Sequence, residues 1–165
     1  MLFANFDLEG KKFKGFNDRN DEEYNQGKGW VRIFDFKMDG RVVYSSLAQG
    51  GSQHSSAREY GSPTLLTPIG SLTPQIWKAM VENTKLTIEV HLTRSVVEGK
   101  TPHEKAYMKY KFTGAKICSI HNVAPDKDGQ PYMEEIKLSF NQVTWSADDD
   151  TTGEKTESED AINVA

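Results

Sequence analysis

The sequence predicts a mainly β protein: an antiparallel β-barrel of two packed sheets, with one α-helix packed on the outside and long loops. Three observations carry that expectation. Residues 107–121 and 134–145 alternate apolar and polar side chains, the period of half-buried strands, and the turn-rich stretch 122–131 joins them. Residues 85–93 alternate most cleanly of all, and only one segment, beginning at Thr73, has the period of a helix. Several strands, one helix and then three long strands fit a barrel or sandwich with a helix outside it.

The elements follow in order. Leu2, Ala4, Phe6 and Leu8 share one face of a short first strand, and a polar loop over residues 9–28 follows it. Residues 30–36 form a second strand with Trp30, Phe34 and Phe36 on one side. After a turn at Met38, Asp39 and Gly40, residues 41–45 continue it. Residues 47–63 read as a long Gly/Ser/Gln-rich loop, a length that in a compact domain is usually functional or mobile. Thr73 can cap the helix, Pro74 suits its first turn, and Ile76, Trp77, Met80 and Val81 give an apolar stripe ending near Asn83. In the strand after it, Leu86, Ile88, Val90 and Leu92 face inward, while Thr87, Glu89, His91 and Thr93 face outward or toward a partner.

Composition bounds the function. The 165 residues, 36% apolar and 10% aromatic, suffice for one sizeable core. No apolar run approaches the ~20 residues of a membrane span, and no basic-then-apolar leader opens the chain. Synthesis in the cytoplasm is therefore expected, with no membrane partner, and a net charge of −4 gives no reason to expect nucleic acid. The charge is unevenly spread: residues 146–165 carry −6 and the 145 before them +2. Poor in bulky residues, this tail is expected to be disordered or ordered only by a partner. The chain thus divides into a β-barrel domain over residues 1–146 and an acidic tail over 147–165.

A search for chemistry finds none. Gly99-Lys100-Thr101 imitates the end of a phosphate loop, but Arg94 stands where the earlier glycine is required and Pro102 follows, so it reads as a turn. Asp126-Lys127-Asp128-Gly129 resembles the start of a calcium loop, yet its twelfth position is Lys137, which cannot ligate. His54, His91, His103 and His121 have no ligand-spaced neighbours, and Ser52 and Ser55 beside His54 lack a nucleophile elbow. The lone Cys118 excludes an internal disulfide and reads as a small buried hydrophobe. Glu134 and Glu135 point to opposite faces of one strand, a poor acid/base pair. No enzyme activity, metal or cofactor is expected.

Five segments carry a resemblance, in order along residues 2–146. They are Gly27-Lys28-Gly29-Trp30-Val31-Arg32-Ile33; Leu72-Thr73-Pro74-Gln75-Ile76-Trp77-Lys78-Ala79; the strand over residues 86–92; residues 110–120; and Glu135-Ile136-Lys137-Leu138-Ser139-Phe140-Asn141-Gln142-Val143-Thr144-Trp145. Together they resemble the Hcp (haemolysin-coregulated protein) family, the tube subunit of bacterial type VI secretion. The acidic tail has no counterpart in that pattern, and the first loop is longer and more charged.

The resemblance implies a hexameric ring that stacks with further rings into a hollow tube. It implies contractile sheath proteins, a spike protein and small effector cargo as partners. It also implies release to the outside through the type VI apparatus without a signal peptide. Gly50, Gly51, Ser52, Gln53, His54, Ser55 and Ser56 are then candidates for ring-to-ring contact. Tyr107, Lys109, Lys111, Glu89 and His91 are candidates to line the lumen or the subunit interface. Other readings are a tail-tube subunit of a contractile phage, a monomeric β-barrel binding module gated by residues 50–56, and an effector whose extension carries activity.

Overall fold

Alternating β-branched and aromatic residues build strands along most of the chain, and the computed structural model describes residues 1–46, 54–148 and 154–161. The strands are β1 (Leu2–Leu8), β2 (Lys11–Lys12), β3 (Trp30–Ile33), β4 (Asp35–Lys37), β5 (Gly40–Ser46), β6 (His54–Tyr60) and β7 (Thr64–Pro68). After the helix α1 (Leu72–Val81) come β8 (Leu86–Glu98), β9 (Thr101–Val123), β10 (Met133–Ser139), β11 (Gln142–Asp148) and β12 (Lys155–Ala161). Every pairing is antiparallel.

Two sheets wrap one core. The first runs β3-β1-β8-β9-β11-β12, with β2 beside β3 on the outer edge of β1; the second runs β9-β10-β7-β4. β9 belongs to both, and Gly114 is where it changes partner. Residues up to Thr113 pair with β11, and from Lys116 onward they pair with β10. Gly114 takes a φ of +61°, and a Cβ there would collide with the Asn141 side chain, so the bend needs glycine. At the far seam a hydrogen bond from Phe34 N–H to Leu66 O at 2.8 Å links the sheets. The expected barrel of two packed sheets with one outer helix is the architecture found.

Phe6, Val31, Ile33, Leu65, Ile76, Ile88, Val90, Phe112, Ile136, Leu138 and Val143 fill the space between the sheets. Burial of such side chains, worth about 1.5–3 kcal/mol each, is the main term holding the fold together. A second cluster of Phe3, Tyr24, Trp30 and Ala106 lies on the opposite face of the first sheet. Phe3 therefore has a buried role that the alternation of β1 did not reveal.

Several expectations need correction. The strand expected over residues 30–36 breaks at Phe34, which is 47% exposed, and its expected single face is split: Trp30 packs with Phe3 and Tyr24 on the outer side, whereas Phe36 packs against the core between the sheets. Residues 40–46 do not extend it but pair with residues 54–60 as a separate two-stranded arm, β5–β6. Seven residues of the expected long loop are thus strand. α1 buries Leu72, Ile76 and Ala79, whereas Trp77 and Val81 are 41% and 77% exposed; the buried stripe lies one residue round from the expected one. Thr73 is not its cap. Its Oγ1 accepts from Gly70 N–H at 3.0 Å and donates to Glu134 Oε1 at 2.8 Å, fastening the helix to β10. Cys118 is exposed, not buried, because it falls on the outer side of β9 between Ile117 and Ser119.

The tail departs furthest from expectation. Residues 155–161 are strand β12, paired along its whole length with β11 from Gln142↔Ala161 to Asp148↔Lys155. An outer strand needs only backbone partners and one supporting side, so it forms from a polar sequence without an apolar face. Disorder is therefore the wrong description of these seven residues.

Candidate functional site

The outward face of the first sheet gathers most of the residues singled out above. Cross-strand register places Glu89, Lys111, Thr144 and Glu159 in one row, and His91, Lys109, Ser146 and Glu157 in the next. Lys111 thus lies between Glu89 of β8 and Glu159 of β12, whereas Lys109 has His91 on the β8 side and Glu157 on the β12 side. Lys109 Nζ also lies 4.0 Å from Asp148 Oδ2. Gln142 Nε2 donates to Glu159 Oε2 at 3.0 Å, fixing that carboxylate on the face. Tyr107, 41% exposed, falls at the register shift between Leu92 and Thr93, where the regular alternation of β9 is interrupted. Lys111 and Tyr107 reach solvent, and Glu89 and Lys109 are half-buried.

His91 does not stay on the open part of that face. It is 9% exposed, its ring centre is 4.5 Å from that of Trp30, and its Nδ1 is 2.9 Å from the Tyr24 hydroxyl. Burial first, and then the charge of Lys109, push its pKa down to about 4, so it is neutral at neutral pH. As a lumen or interface residue His91 is corrected: its own chain covers it. The cover is the polar loop of residues 9–28, which folds back across the sheet.

That loop is pinned by Asp21. Its Oδ1 accepts from the backbone N–H groups of Glu23 and Tyr24 at 2.9 and 3.0 Å, and its Oδ2 from Glu104 N–H at 2.8 Å. Burial alone would raise the Asp21 pKa, but these three donors outweigh it and hold the group below its ordinary value. Beneath it, Glu104 accepts from Thr93 Oγ1 and Ser95 Oγ, both at 2.7 Å, and is likewise lowered against its own desolvation. Both carboxylates are satisfied within the fold, which makes this cluster a clamp on the β8–β9 hairpin. Thr93, expected to face outward or toward a partner, is on that side but is buried there by its own chain. The hairpin turns at Gly99 and Lys100, with Glu98 opposite Thr101, which accounts for the phosphate-loop imitation as a turn.

The β5–β6 arm leans on the tail strand. Tyr60 packs with its ring tilted against Phe140 and Trp145, ring centres 5.6 and 6.4 Å away, and its hydroxyl donates to Asp160. Arg58 reaches the same carboxylate with Nε at 2.5 Å and donates from Nη2 to Ala161 O at 2.7 Å. His54, Ser55 and Ser56 fall in β6, opposite Ser46, Ser45 and Tyr44; Gly50, Gly51, Ser52 and Gln53 lie outside the described residues. Sequence reasoning missed Arg58, Tyr60 and Asp160, because no local pattern joins positions about a hundred residues apart.

Among the described residues, no group of three or more His, Cys, Asp or Glu side chains could hold a metal ion, and no helix is long and apolar enough to cross a membrane. The model of a family described as "Type VI secretion system effector, Hcp" matches residues 10–146. The chain belongs to the Hcp family. Its fold is that of solved Hcp structures. A double-tryptophan variant of Hcp1 from the E. coli EAEC 042 pathovar superposes with a TM-score of 0.75 at 17% identity, covering 97% of each chain. The secreted protein Hcp3 from Pseudomonas aeruginosa gives 0.65 at 14%, covering 99% of this chain and 100% of that one. A type VI secretion system effector from Yersinia pestis gives 0.64 at 12%, covering 96% and 99%. No curated protein sequence matches the chain significantly. The Hcp likeness therefore extends past residue 146 and takes in β12, which the sequence motifs left out.

Proposed function

We propose that this Hcp-family chain is a structural subunit of the type VI inner tube. Six copies close head to tail into a ring, and rings stack into a hollow tube that a contractile sheath drives outward with a spike and small effectors. The protein is made in the cytoplasm and leaves through the apparatus itself. The observation that supports this most is the family match over residues 10–146, joined to a broad sheet whose outward face is polar and mixed in charge. Such a face, with Lys111 between Glu89 and Glu159 and Lys109 in the row of Glu157, suits a wet channel wall better than a binding cleft. The β5–β6 arm, together with residues 50–56, is the candidate contact to the next ring.

Native mass spectrometry of the purified chain, with negative-stain images of the same sample, tests the proposal. A six-fold species seen as a ring with a central hole is expected. A monomer at micromolar concentration would overturn it.

A further inference from the structure

The first sheet continues past the barrel. β11 and β12 branch from β9 where β10 leaves for the second sheet, so β12 is an overhanging edge with no strand on its far side among the described residues. That edge is acidic: Glu154, Glu157 and Glu159 stand against one base of the strand, Lys155, while Asp160 at its end is paired with Arg58. Its residues 154–159 are all exposed, and Glu157 has no ion pair among the described residues.

The other edge of the same sheet has the opposite sign. β2 lies on the outer side of β1, and the chain runs on along β3, with Phe13 N–H bonded to Phe6 O at 2.9 Å and Arg32 N–H to Phe16 O at 2.7 Å. This outer lane carries Lys11, Lys12 and Lys14 against one acid, Glu9. Lys12 is paired with Asp7 at 2.6 Å, while Lys11 and Lys14 point exposed side chains outward. The Lys14 backbone is already occupied, its N–H donating to Gln75 Oε1 at 3.1 Å and its O accepting from Gln75 Nε2 at 2.7 Å. Gln75 thus blocks full strand addition there and leaves the lysine side chains as the available contact.

We propose that the acidic β12 edge of one copy docks against the Lys11–Lys14 lane of a second copy, and that this contact sets the direction of assembly. Opposite charges on opposite edges of one sheet can satisfy each other only head to tail, since like edges repel; a heterologous contact of that kind makes a ring when its rotation closes. The overhang then has a purpose that the barrel itself does not supply: it carries the sheet to its neighbour. The contact rests on the ring reading above and names the two surfaces that would form it.

Three chains test it by native mass spectrometry at low salt: Lys11→Glu with Lys14→Glu, Glu157→Lys with Glu159→Lys, and all four changes together. Each double variant is expected to lose the six-fold species at least tenfold in concentration dependence, and the quadruple variant, with the polarity reversed but complementary, to regain it. All positions are exposed, so folding is kept. A second measurement pairs Lys14→Cys with Glu157→Cys in a Cys118→Ser background; a ladder of disulfide-linked copies is expected on oxidation. A six-fold parent chain whose double variants stay assembled, whose quadruple variant fails to recover, or whose cysteine pair gives no ladder overturns the edge contact and leaves the ring standing. A monomeric parent chain overturns the ring reading itself.

Discussion

Tyr60 on β6 gives its hydroxyl hydrogen to the Asp160 carboxylate on β12, joining residues 100 positions apart. The Tyr60 bond first, and Arg58 after it, hold the Asp160 pKa below its ordinary value despite some desolvation. Burial, and then the same carboxylate, raise that of Tyr60. A two-stranded ribbon is marginal on its own in water. The orientation of the β5–β6 arm is therefore set by a strand from the far end of the chain.

Breaking that link should loosen the arm without unfolding the core. In Tyr60→Phe and Asp160→Asn, amides of residues 40–46 are expected to exchange hydrogen several-fold faster, while those of β8 and β9 stay protected. Hydrogen-exchange mass spectrometry reads both. Unchanged arm exchange would show that ring packing of Tyr60 on Phe140 and Trp145 holds the arm alone.

His91 should make the fold acid-sensitive. Its pKa falls from 6.5 unfolded to about 4 folded, so the unfolded chain takes up a proton first as pH drops. Stability is full above pH 6.5 and is lost toward pH 4, by about 3 kcal/mol over the whole window. Urea denaturation at pH 7 and pH 4.5 should show the loss, and His91→Gln should remove most of that slope. An unaltered slope in the variant would assign the acid sensitivity elsewhere.

Glu134 should act in the other direction. It is fully buried, and its Oε2 lacks a hydrogen-bond partner. Burial raises its pKa above 4.5, against the opposing hydroxyls of Thr73 and Thr67. Its contribution to stability is complete below pH 4.5 and is lost as pH rises through the folded value. Glu134→Gln keeps an oxygen for Thr73 and offers N–H groups to Thr67, so its Tm at pH 8 should rise by roughly 2–4 °C. A lower Tm would mean that the charge itself is needed there.

Gly114→Ala should be costly. A left-handed backbone costs a residue with a side chain about 1–3 kcal/mol, and the Asn141 side chain occupies the space of the new methyl group. The urea midpoint should fall accordingly. Gly70→Ala, with nothing within 4 Å of the added carbon, is the control and should stay within about 0.5 kcal/mol. Equal midpoints for the two variants would remove the assigned role of Gly114 as the point where β9 changes sheet.

Strand alternation made much of the framework legible. Leu86, Ile88 and Val90 face the core as their spacing requires, and residues 107–121 are strand as expected, although β9 extends well beyond them at its start. The candidate face was legible too, since Glu89, Lys109 and Lys111 share it by register alone. Less legible was what covers each face. His91 and Thr93 read as outward because period-two spacing assigns a side, and nothing local announces that residues 9–28 return over that side with Tyr24 and Asp21 in place.

By itself, the sequence determined the strands over residues 85–93 and 107–121, the helix that follows residue 71 and the family pattern, because period and turn chemistry are properties of neighbouring residues. Only the tertiary structure decided the rest. It buried Glu134 beside Thr73 of α1, brought Asp160 to Arg58 and Tyr60, and made a strand of a polar tail. Those outcomes depend on backbone pairing and desolvation between segments far apart in the chain, and such contacts leave no periodic mark on the residues that make them.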